Sequence, residues 1–177
     1  MLVIGIFTIQ YLPSGQSHLR SSIIYLVVYP TPPPTVFTLI GIANDGPIQT
    51  SVTNIYLSTI VDGRTYIGKP VEMPEKVSIP INNVVTTYYG KDSLLNKFID
   101  PIPLGSARNG PVIFSFTDAT PNIVSRPSTY MLHFKDISGK DYQSSAETFT
   151  NPQPPAFGLP GIQQDVNVVT PPATPKN

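Results

Sequence analysis

His18 and His133 are the only imidazoles in a chain of 177 residues that has no cysteine at all. Without thiols there are no disulfides, zinc–thiolate sites, iron–sulfur clusters or cysteine nucleophiles. A catalytic zinc takes three protein ligands, commonly histidines with a carboxylate. His18 falls in a polar loop near the N-terminus, and His133 falls in the outward-facing set of an alternating strand. A solvated strand histidine is the expected role of His133. A Ser-His-Asp triad is defined in space rather than in sequence, but the Gly-x-Ser-x-Gly elbow that often presents its serine is absent.

The carboxylates offer little more. Asp136 and Asp141 flank a tight turn, with Asp118 in a nearby loop, and their oxygens could serve a calcium ion. Aspartates at turns also bond their own backbone, and that is the reading adopted for all three. Glu72 and Glu75 lie in a Pro-flanked loop that does not set them up as an acid/base pair. Tyr88-Tyr89-Gly90 could form an aromatic platform for a sugar or peptide, or simply cover the core. The loop Gly105-Ser106-Ala107-Arg108-Asn109-Gly110 lacks the Lys-Ser/Thr ending of a phosphate loop. No catalytic residue, metal ligand or cofactor-binding residue is therefore assigned, and the expectation is a protein that is not an enzyme.

Composition narrows the partners. Eleven basic and eleven acidic residues cancel, and charged residues are only 12% of the chain, about half the usual share. Arg64, Lys69, Lys76, Lys91, Lys97, Arg108, Arg126, Lys135 and Lys140 are scattered without a run, which argues against nucleic acid as a partner. Zero formal charge leaves little self-repulsion and favours a protein partner or self-association. The 21 prolines leave room for few long helices.

The elements follow from period-two alternation. Tyr130, Leu132 and Phe134 alternate with Met131, His133 and Lys135, and Ser138-Gly139 then turns the chain toward Tyr142. Ile55 to Val61, Asp62-Gly63, and Arg64 to Ile67 repeat the pattern. Ser21 to Tyr29, apolar almost throughout, reads as a strand buried on both faces. Pro30 to Pro34 reads as an extended connector, and Val36 to Ala43 as a strand closed by Asn44-Asp45-Gly46-Pro47. Val77 to Ile81, with Pro80 confining it to an edge or bulge, precedes a strand over Val84 to Tyr89. One short helix is expected at about 92–99. Loops are expected over 103–110 and 118–127, with a strand opened by Pro111. The whole predicts seven to nine strands in an all-β antiparallel sandwich; a partly open barrel or jelly roll would give the same pattern.

Three segments are expected: 1–19, 20–149 as the β-sandwich domain, and a Pro-rich extended or disordered tail over 150–177. The apolar run 1–12 is too short to span a bilayer. It suits a first strand, the trailing half of a membrane anchor, or an inefficient signal peptide.

Leu39-Ile40-Gly41-Ile42-Ala43-Asn44-Asp45-Gly46 and Phe134-Lys135-Asp136-Ile137-Ser138-Gly139-Lys140-Asp141-Tyr142 resemble the opening strand and the late hairpin of bacterial and archaeal immunoglobulin-like modules. The resemblance covers about residues 36–149, and departs from antibody domains in lacking the cysteine pair and tryptophan. It implies that the sandwich is immunoglobulin-like, with a non-catalytic spacer, adhesion or interaction role on the extracellular side of a membrane or in the cell envelope. The alternatives from other classes are a subunit of a filament, capsid or larger assembly, using the apolar N-terminal stretch as a donated strand and the Pro-rich tail along adjacent subunits, and a carbohydrate-binding module using Tyr88 and Tyr89.

Overall fold

Among the described residues, alternating apolar side chains become nine strands. The computed structural model describes residues 17–30, 32–81, 84–124, 126 and 128–147, so the segments 1–12 and 150–177 lie outside it. The strands are β1 (Leu19–Tyr29), β2 (Thr35–Asn44), β3 (Val52–Val61), β4 (Arg64–Val71), β5 (Lys76–Ile81), β6 (Val84–Tyr89), β7 (Ala107–Ser115), β8 (Thr129–Asp136) and β9 (Asp141–Glu147). Every strand pairing is antiparallel, and the all-β expectation holds. The expected helix near 92–99 is a 3-10 turn, Gly90–Asp92, followed by α1 (Leu94–Lys97).

A second helix corrects the expectation of at most one: α2 (Pro121–Val124) lies in the stretch read as loop. Pro121 opens it, where a fixed φ suits the first turn and the missing N–H has no intrahelical partner to lose. The strand expected to start at Pro111 begins instead at Ala107, within the expected loop. β4 pairs with β7 only along Ile113–Ser115, so Pro111 sits where one side of β7 carries no strand, as prolines in sheets require. Pro30 to Pro34 is not an extended connector either. Tyr29 pairs with Thr35, so this segment closes a hairpin, and the Pro32–Pro33 bond in it is cis.

Strand order is β1-β2-β7-β4-β3-β8-β9, with β5-β6 as a separate sheet. β4 changes partner along its length: Arg64–Gly68 pairs with β3, and Lys69–Val71 with β7. One half of the assembly is thus β1-β2-β7 and the end of β4; the other is the start of β4 with β3-β8-β9. Between the halves, Ile40, Leu57, Phe114, Phe116, Leu132 and Phe134 form one buried cluster. At the changeover a Cβ on Gly68 would stand 2.4 Å from the Phe116 ring, so only glycine admits that ring against the backbone. β1 and β9, the ends of the order, lie beside each other, bridged by Ser21 Oγ and Ser144 Oγ at 3.0 Å.

The β5-β6 hairpin covers the outer face of the first half. Met73, Val77 and Ile79 bury Tyr29, Phe37 and Ile113 in a second cluster, and Tyr88 lies 5.6 Å from the Phe37 ring. This explains why β2 and the end of β7 are buried on both faces.

β1 departs from the both-faces expectation. Its register shifts between Ile23 and Tyr25, and the extra residue, Ile24, is 56% exposed. Ile23 packs toward the first cluster before the bulge and Leu26 and Val28 after it, while Tyr25 and Val27 pack toward the second. A bulge switches the phase of a strand, and here that switch makes the run look uniformly apolar.

Candidate functional site

β3 and β8 are neighbours in the second half, and their inward positions are filled by Ile55, Leu57, Leu132 and Phe134. Tyr56, Ser58, Met131 and His133 must therefore face out. A bulge keeps this phase: the register shifts between Thr53 and Tyr56, and Asn54 takes φ of 50°, a conformation asparagine tolerates better than most residues. Tyr56 consequently pairs with His133. Their rings stack at 4.5 Å and 5°, and Ser58 Oγ lies 2.8 Å from His133 Nε2.

His133 is thus half-buried rather than simply solvated, which revises the sequence expectation. Desolvation lowers its pKa, and the Asp141 charge opposes this without overcoming it, so the neutral ring is favoured. On the same outward face stand Met131, half-buried, and Ile60 and Ile67, 58% and 47% exposed. Gln143 pairs beside His133, and charge appears at the rim, where Lys135 Nζ meets Asp141 Oδ1 at 3.3 Å.

Ser58 and His133 have the spacing of a nucleophile and its base. Acyl transfer also needs donors aimed at a developing oxyanion. Ser58 stands in a strand paired on both sides, with Ile67 and with Met131, so the nearby amides belong to the ladders. The hydroxyl's part here is to hold the imidazole in its stack.

The other residues singled out in the sequence have structural places. Asp136, 1% exposed, accepts hydrogen bonds from the Ser17 hydroxyl, the Tyr142 hydroxyl (3.1 Å), the Ser138 amide and hydroxyl (2.8 and 2.6 Å) and the Lys140 amide (3.0 Å). Burial alone raises its pKa, but these bonds outweigh burial and bring it down to about 2. Asp136 therefore locks the β8–β9 turn to the start of β1, with its oxygens already occupied. Asp118 and Asp141 are exposed. Among the described residues no three His, Cys, Asp or Glu side chains come together as a metal site.

Asn44 is a second clamp at the same end. Its amide donates to the Ile48 and Ile102 carbonyls at 2.8 and 2.9 Å and its oxygen accepts from the Gly46 amide at 3.0 Å. His18 is exposed before β1 and contributes its carbonyl to the Asp45 amide at 2.9 Å. Glu72 and Glu75 border a shallow groove of about 420 Å³ with Lys91 and Asn96. Ala107 to Gly110 belong to β7.

Tyr88 and Tyr89 alternate on β6 and so point to opposite faces: Tyr88 packs on Phe37, whereas Tyr89 is 47% exposed under the Lys91 ammonium. The two do not make one platform. The face centred on Tyr56 was missed in the sequence; its only signal was a tyrosine out of phase with Ile55 and Leu57. Family models, curated proteins and solved structures were each compared with the chain, and none of the three comparisons gives a match.

Proposed function

We propose that the chain is a non-catalytic interaction module on an immunoglobulin-like β-sandwich, and that it meets a protein partner through the outer face of β4-β3-β8-β9. The observation that carries this reading is an asymmetry of cover. The outer face of the first half is closed by the chain's own β5-β6 hairpin, while the second half presents Tyr56, Met131, His133, Ile60 and Ile67, with Lys69 and the Lys135–Asp141 ion pair as charges beside them. An aromatic- and Met-containing centre, poor in charge and ringed by polar groups, is how protein interfaces are composed.

Two features support the sandwich. In immunoglobulin-like domains strands one, two, five and four share one sheet, and strands three, six and seven the other. With the inserted hairpin set aside, β1, β2, β7 and the end of β4 form the first set, and β3, β8 and β9 the second. Tyr130, at the start of β8 just past α2, donates its buried hydroxyl to the Val124 carbonyl at 2.9 Å. That is the position and the bond of the tyrosine corner in such domains.

A photo-crosslinking side chain placed at Ile60 or Ile67 of the full chain, in the cells that make it, tests the face. The expected result is one discrete protein adduct whose yield drops about tenfold or more with Tyr56→Ala or His133→Ala, as for residues central to an interface. Ile99 and Leu104 are apolar residues elsewhere that are still more exposed. The same adduct from those positions, or none from the face, defeats the reading.

A further inference from the structure

β6 pairs with β5 along one side and, among the described residues, with no strand along the other. Which backbone groups face that open side follows from two hydrogen bonds. The Pro80 carbonyl accepts the Tyr25 hydroxyl at 2.8 Å, so it points away from β6. Its register partner Val85 then points away from β5, as do Thr87 and Tyr89 by alternation. The Tyr89 amide agrees with this, donating outward to Asp92 Oδ2 at 2.9 Å. Val85 and Thr87 are left presenting their N–H and C=O groups along an open edge.

Exposed edges are ordinarily blunted by charge, proline or cover. The outer edge of β5 is blunted in this way: Pro80 has no N–H, and Tyr25 occupies its carbonyl. β1 and β9 lie against each other. Asp92 caps only the Tyr89 end of β6; among the described residues Val85 and Thr87 have no such cover. Val84-Val85-Thr86-Thr87-Tyr88-Tyr89 is uncharged, free of proline, and rich in β-branched and aromatic residues, with Val84 and Val85 64% and 58% exposed.

We infer that β6 is a self-association edge, to which a second copy of this chain adds its own β6 antiparallel about a two-fold axis at Thr86. In this register Val85 and Thr87 exchange N–H···O=C bonds with Thr87 and Val85 of the second copy. Thr86 faces its equivalent as a non-hydrogen-bonded pair, and Val84 is covered by Tyr88 of the second copy.

Three things on this surface favour a copy of the chain over another occupant. An antiparallel edge pair is isologous, so one patch serves both molecules. The segment has no charges to oppose in such a pair, and the chain's zero formal charge removes repulsion at longer range. The outer strands of the joined four-stranded sheet are then the two β5 edges, each stopped by Pro80, so growth ends at the dimer. This surface is distinct from the β4-β3-β8-β9 face.

The absence of cysteine makes the test clean. Opposed residues of a non-hydrogen-bonded pair have Cα atoms about 4.5 Å apart, within the range a disulfide bridges. Under mild oxidation the full chain carrying Thr86→Cys should form a covalent dimer several times faster than Thr129→Cys, an exposed control on β8. Adding Thr87→Pro, which deletes an outward N–H together with the 2.9 Å Thr87–Ser78 hydroxyl bond, should slow that cross-link more than Thr87→Val, which loses the hydroxyl bond alone. Thr86→Lys and Thr86→Asp should each be monomeric alone and associate when mixed. Equal cross-linking of the two cysteine variants, or a Thr86→Cys dimer indifferent to Thr87→Pro, overturns the inference.

Discussion

Single side chains hold the ends of this fold, and Asp136 is the clearest of them. Its carboxylate accepts from Ser17, Ser138, Lys140 and Tyr142 at the β8–β9 turn, and its folded pKa of about 2 lies below the ordinary aspartate value near 3.9. The folded state therefore binds this proton less readily than the unfolded chain. The stabilisation is complete above pH ~4 and is lost as pH falls through about 2, and a shift of this size is worth about 2–3 kcal/mol. Urea unfolding at pH 6, 4 and 2 should show that loss, and Asp136→Asn should be weaker at pH 6 and lack this part of the acid dependence. An identical pH profile in the variant would show that the turn does not rely on the carboxylate. In the sequence Asp136 was legible as a turn aspartate. Its bond to Ser17, more than a hundred residues away, was not, because periodicity carries no information about which strand ends meet.

Among the elements, β4 decides the layout by serving two partners. Gly68 is the last residue paired to β3 before Lys69 begins the pairing to β7, and it lies under the Phe116 ring. Gly68→Ala should cost about 1–3 kcal/mol through overpacking, with much of it recovered by Phe116→Leu, which removes the atoms in the way. A double-mutant cycle in denaturant measures this, and additive effects would sever the proposed contact. The sequence made each strand readable from alternation, and Val84–Tyr89 matches to the residue. What it hid were irregularities. The bulge at Ile24 imitates a doubly buried strand, and Pro121 starts a helix where proline suggested only a loop. Bulges and helix starts insert or rotate single residues, so they change phase without changing composition.

At the scale of the whole molecule, the hairpin β5-β6 is held by one small apolar cluster and has no ladder to the seven-stranded sheet. Besides that cluster, only the Tyr25–Pro80 hydrogen bond joins hairpin and sheet among the described residues, and the hairpin backbone should open without the rest, since units with few buried contacts unfold locally. Native-state hydrogen exchange on the monomer should therefore give the Ile79 amide a lower opening free energy than the amides of Ile40 in β2 and Leu132 in β8. Equal values would mean that hairpin and sheet unfold as one unit.

The sequence by itself determined the class of this protein. Two-residue alternation, abundant proline and scarce charge leave antiparallel sheet as the only way to bury its apolar residues while pairing its backbone. It also settled where the turns fall, since Asp62-Gly63 and Ser138-Gly139 meet local backbone demands that need no distant partner. Only the tertiary structure decided that Tyr56 stacks on His133, that the hairpin covers one sheet face, and that among the described residues the other face is left open and β6 keeps an unpaired edge. Those outcomes depend on strand order and register between residues far apart in the chain, which no local pattern encodes.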